Sequence, residues 1–262
     1  MSALRAELTK IARLRGTWIV TGAILALHVL ITVANVPNNV DAVAAITPDG
    51  RIEIFAGESR PAEPALIEML LASSLQMGLF LPVLGAVLAG SEFRGGQLRV
   101  SLLAVPRRST LALAKTAAVG VHLFGVAVVV AVVSTAGLHY AVRNRFPGLL
   151  GSAEALRGQA AFLAFAVLSA LVGAAVTLIV RSTLVGVLAT VAILAVTMTQ
   201  VLAVAAPQVD AVFPLSAGRN LLLDPAAARL TAGPAHALAV LVAWPVLTTA
   251  VAGVLLARRD AR

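Results

Sequence analysis

Apolar residues in this chain fall in long blocks separated by short polar clusters, without the strict alternation of a half-exposed strand. Six blocks reach the roughly 20 residues needed to cross a hydrocarbon core; they run about 16–36, 66–90, 110–138, 159–180, 184–206 and 236–257. The pattern predicts an all-α polytopic membrane protein of six transmembrane helices, with residues 1–262 forming one membrane-spanning domain. The fourth and fifth blocks are divided only by Arg181-Ser182-Thr183. Read as one helix they would be about 70 Å long and would bury an arginine at a cost of about 2.5–3.5 kcal/mol, so a tight turn is expected at Arg181. Pro82 and Pro245 are expected to kink the second and sixth spans. Ser169, Gly173 and Thr177 share one helix face and suit close helix approach. His28, Gln76, His122 and Gln200 are the larger polar side chains inside the blocks; bonding between helices is the favoured reading and lining of a path the other.

The connecting segments add three further elements. In the first long loop, Thr47-Pro48-Asp49-Gly50 lies between Val43–Ile46 and Arg51–Phe55, a turn signal that predicts a small β-hairpin, read either as a substrate gate or as a compact lid. At the N-terminus, Leu4, Leu8 and Ile11 recur at helical spacing with Arg5, Lys10 and Arg13 available to anionic headgroups, and Trp18 marks the interface, which predicts an amphipathic surface helix. Between the second and third spans, Gly95-Gly96 permits a sharp exit from the bilayer, Leu98 and Leu102 share a face, and Pro106 stops the run, which predicts a second short surface helix. Lys115, one turn into the third span, is expected to snorkel to the interface. The loops at 139–158 and 207–235 read as connectors with short helical pieces.

Composition supports a lipid solvent: 262 residues are 60% hydrophobic and 12% charged, with mean hydropathy +0.96, against about a quarter charged in soluble domains. The net charge of +8 orients the chain. Under the six-span reading, thirteen of the twenty Lys and Arg lie on the side of both termini, and nine of the twelve acids lie on the other. Both termini are therefore expected in the cytoplasm. The cations sit between apolar blocks instead of on a basic face, which argues against a nucleic-acid partner. Val33-Ala34-Asn35-Val36 makes a poor cleavage site, so the first span is expected to be retained.

Candidate chemistry is sparse. The two lysines, Lys10 and Lys115, stand outside any Gly-x-x-x-x-Gly-Lys-Ser/Thr loop, so the usual phosphate cradle of a nucleotide hydrolase is missing. The four histidines lack metal-ligand spacing, there is no cysteine, and no carboxylate falls in the middle of a block. A non-catalytic membrane protein with no directly bound cofactor or metal is expected.

Glu7-Leu8-Thr9-Lys10, Arg13, Arg15-Gly16-Thr17-Trp18, Glu92-Phe93-Arg94, Gly96, Leu98-Arg99, Leu102-Leu103-Ala104, Val105-Pro106-Arg107-Arg108 and Ala114-Lys115 resemble the permease subunits of type-2 ATP-binding-cassette exporters, especially those of actinobacteria. Gln97 stands where Thr or Met is common in that family. The resemblance implies a bacterial cell-membrane permease working as a pair, either of identical copies or of paralogues, with separate ATPase subunits that bind the ATP. It makes the N-terminal helix an elbow helix and the short helix of the 91–110 segment a coupling helix. Glu92, Arg94, Leu98, Arg99, Pro106 and Arg107 become candidate ATPase contacts, with Glu7, Lys10 and Arg13 secondary. The implied activity is export by alternating access; the alternative is a membrane subunit of a sensory or immunity complex without bulk transport.

Overall fold

The computed structural model describes residues 3–53, 59–93, 108–224 and 229–258. It is an all-α polytopic architecture in which five helical stretches among the described residues are long and apolar enough to cross a membrane. The N-terminal helix α1 (Ala3–Arg13) ends at extended Leu14, and α2 (Arg15–Ala44) follows directly. The second stretch is two helices, α3 (Ala62–Gly78) and α4 (Leu81–Gly90), closed by a 3₁₀ turn at Ser91–Phe93. The third is α5 (Arg108–Val142) and the fourth α6 (Ala153–Val180). Four shorter helices follow: α7 (Thr183–Met198), α8 (Val201–Ala205), α9 (Pro207–Ala211) and α10 (Pro214–Leu222). The chain closes with α11 (Pro234–Arg258), which carries Pro245 internally.

The expected turn at Arg181 is present. Arg181 adopts the left-handed region at φ 55°, and the Ser182 hydroxyl then accepts from the Val185 amide at 3.3 Å to cap α7. Thr183 reaches back to donate to the Gly90 carbonyl at 2.8 Å, which sets this turn at the same end of the bundle as the end of α4. The break between α3 and α4 falls at Leu79–Phe80, just before Pro82, whose ring nitrogen cannot extend the hydrogen-bond ladder.

Three sequence expectations need correction. The first span extends beyond residue 36 through Pro37 to Ala44, because a helix outlasts its apolar block when its last turns, here Asn35, Asn38 and Asp41, are exposed and hydrated. The paired strands are β1 (Arg51–Glu53) and β2 (Ser59–Pro61), with Ile52 opposite Arg60. Asp49-Gly50 therefore leads from α2 into β1 and does not join the strands, although Gly50 does take the positive φ of 74° that marks the turn. In that turn a hydrogen bond from Thr47 holds the exposed Asp49 carboxyl below the ordinary carboxylate range. The fifth block is not one helix over 184–206. α7 has 16 residues, about 24 Å, against a hydrocarbon core of about 30 Å, and the chain breaks at Gln200, φ 52°.

α6 is the central helix. It packs on α3, α4, α5, α7, α10 and α11, and its Phe162 and Phe165 are fully buried. The apolar window of the α3–α4 stretch is 67% buried and that of α2 only 17%, so α2 lies at the periphery. A second apolar cluster gathers Val43, Ile46, Ile52, Leu66 and Leu138 beneath the hairpin. There the Arg145 guanidinium donates to the carbonyls of Val43 and Ile46, both at 2.7 Å, satisfying acceptors at the end of α2.

Candidate functional site

Three elements meet at the end of the bundle that holds α1: α1 itself, the 3₁₀ turn after α4, and the first turns of α5. Four charged side chains join them. Lys115 donates to Glu7 Oε1 at 2.9 Å and lies 2.8 Å from Glu92 Oε2, while Lys10 donates to Glu92 Oε1. Glu92 and Lys115 are each only 5% exposed, and Glu7 is buried as well. Two cations and two anions alternate, so the group is neutral, and each charge taken from water faces an opposite one, the condition for burying charges at all. A small cavity of about 30 Å³ adjoins it, walled by Leu88, Val119, Leu171 and Leu178.

Helical spacing explains the inward turn of Glu7. Glu7 and Ile11 are four residues apart and are the buried positions of α1, whereas Leu4 is exposed. Helix α1 thus presents a mixed face to α5, and Lys10, expected to meet lipid headgroups, is pulled to Glu92 instead. Lys115 is likewise corrected: with Glu7 and Glu92 within reach it stays inside and does not snorkel. Between α2 and α5, Thr21 Oγ1 lies 3.2 Å from His122 Nε2, and His28 Nε2 lies 3.1 Å from both the Val130 carbonyl and Ser134 Oγ. These contacts bond α2 to α5, as expected of polar groups between membrane helices. Gln76 and Gln200 are exposed.

Of the candidate contacts, the structure brings Glu7, Lys10 and Glu92 together. Arg13 is exposed, with no hydrogen bond or ion pair among the described residues. Arg94, Leu98, Arg99, Pro106 and Arg107 lie outside the described residues. Lys115 is the member that sequence reasoning missed; the available signal was that a chain rich in arginine has only two lysines, and both belong to this cluster.

A second polar site lies in the 207–235 segment, where the sequence pattern predicts a connector. The segment from Pro207 to Leu222 folds back into the bundle. Pro214 and Leu215 share a cavity of about 10 Å³ with Pro82, Gly173 and Thr190, and Trp244 of α11 donates to the Val212 carbonyl at 2.7 Å. Asp210 is 0% exposed. It is paired with Arg219 and accepts from Ser216 and Thr231, both at 2.7 Å, and Thr231 is bonded in turn to Asn220 at 3.1 Å. These bonds close the fold-back before α11 begins. Among the described residues, no group of three or more His, Asp or Glu could hold a metal ion.

No protein-family model and no curated protein matches the sequence. Fold and composition define a class: an all-α protein with several helices suited to crossing a membrane.

Proposed function

We propose that this chain is the membrane-spanning permease subunit of an ATP-driven exporter, working as a pair of permeases with ATPase subunits supplied by separate chains. In this reading the shorter apolar helix α7 is the further crossing that completes six, both termini are cytoplasmic, α1 serves as the elbow helix, and residues 94–107 receive the motor.

The observation that carries the reading is the four-charge cluster. It ties α1, the end of α4 and the start of α5 together on either side of residues 94–107 in the sequence. Separating a buried ion pair costs about 3–5 kcal/mol, so a push on that segment moves α1 and two membrane helices as one body. ATP-driven closure of the paired ATPases would tilt these helices and open the permease interface outward. Substrate release would then reset the inward-facing arrangement.

The test is the combined Arg94→Ala, Leu98→Ala and Arg99→Ala variant, expressed in the native host. It is expected to insert in the membrane normally but to lose co-purifying ATPase and transport-coupled ATP hydrolysis. Unchanged association and hydrolysis would overturn the proposal.

A further inference from the structure

A groove of about 250 Å³ runs along the outside of the bundle between the first turns of α2 and the end of α4, lined by Leu14, Gly16, Thr17, Ile19, Val20, Val87 and Ser91. Its wall is largely apolar, and Ile19 is 71% exposed. Two exposed cations, Arg13 and Arg15, sit in the sequence beside the lining residues Leu14 and Gly16, and neither has a hydrogen bond or ion pair among the described residues. Trp18, half-exposed with its indole N–H on the Ala12 carbonyl at 2.9 Å, marks the headgroup level at this height of the helix. Thr17 and Trp18 donate to the Leu14 carbonyl, so α2 begins among the lining residues and its positive dipole end lies there.

We propose that this groove holds one anionic phospholipid, its phosphate against Arg13 and Arg15 and one acyl chain against Ile19, Val20 and Val87. The charge chooses the occupant: an apolar channel alone accepts any lipid tail, but two exposed guanidinium groups on the residues that flank the lining Leu14 in the chain favour a phosphate with net negative charge over a zwitterionic headgroup. Arg13 and Arg15 differ in this from Lys10, whose charge is already taken by Glu92. A lipid held here would brace the junction of α1 and α2 against α4. The placement in the cytoplasmic leaflet rests on the orientation proposed above; the site itself needs only that the bundle sits in a bilayer.

The test uses the full chain in phosphatidylcholine nanodiscs carrying traces of spin-labelled phosphatidylglycerol or spin-labelled phosphatidylcholine. About one immobilised phosphatidylglycerol per chain is expected, with phosphatidylcholine unselected. Arg13→Gln with Arg15→Gln should lower that preference about tenfold or more, and Val87→Trp, which fills the channel, should abolish immobilisation while leaving both arginines. Arg143→Gln, removing an exposed cation that stacks on Tyr140 at the other end of the bundle, should change nothing. Equal immobilisation of the two lipids, or equal losses from the Arg143 variant and the double variant, would overturn the proposal. So would a Val87→Trp chain that changes its oligomeric state and keeps its phosphatidylglycerol, since the groove would then belong to a second copy. Loss of ATPase association with lipid retention intact would count against the transport reading alone.

Discussion

At Gly173 the backbone of α6 lies against α4 so closely that a Cβ would fall 2.1 Å from the Pro82 carbonyl oxygen; at Gly85 the reverse contact puts a Cβ 2.1 Å from the Ala170 carbonyl oxygen. Both obstacles are backbone atoms that cannot rotate away. Gly173→Ala and Gly85→Ala are therefore each expected to destabilise the protein by about 1–3 kcal/mol, measured by unfolding in mixed micelles. Gly125→Ala, where nothing lies within 4 Å, should stay near wild type. The four-residue spacing of Ser169, Gly173 and Thr177 was readable as a packing face, and all three are buried or in close contact. That the face meets Pro82 was not readable, because a partner helix leaves no mark in local spacing.

Between elements, the ion pairs decide which helices move together. Lys115→Met would remove the cation that Glu7 accepts from and leave Glu92 with Lys10 alone, and is expected to cost about 3–5 kcal/mol, the penalty of a buried charge without its partner. Adding Glu7→Gln should recover part of that loss, since the Lys10–Glu92 pair then remains without an uncompensated carboxylate beside it; a double-mutant cycle by chemical unfolding measures the coupling. Asp210→Asn should behave similarly, leaving Arg219 uncompensated and freeing the fold-back before α11, seen as faster proteolysis within 199–233. Neither cluster is legible in local sequence spacing. Glu7 and Lys115 are separated by 108 positions, and Asp210 meets Arg219 only because the chain bends at Val212–Phe213 between α9 and α10. The helix from Ala3 and the turn at Arg181 were legible, since both follow from local periodicity and capping residues.

For the whole molecule, the charge asymmetry predicts a definite outcome of topology mapping, and the cysteine-free chain makes that test free of background. In intact cells an impermeant maleimide should label Asp49→Cys in the turn before the hairpin, while Thr9→Cys on the exposed side of α1 should react only after permeabilisation. Labelling of Thr9→Cys but not of Asp49→Cys in intact cells would reverse the orientation. The sequence by itself determined that this chain is helical and dissolves in lipid, because block length and hydropathy are sums over neighbouring residues that no distant contact can undo. It also set the capped turn at Arg181, through residues adjacent in the chain. Tertiary structure alone decided that the fifth apolar block stops short and the chain folds back on Asp210, that both lysines turn inward, and that α6 holds the centre. Those outcomes depend on which charges and backbone surfaces come within a few ångströms, and that proximity is created only when the helices pack.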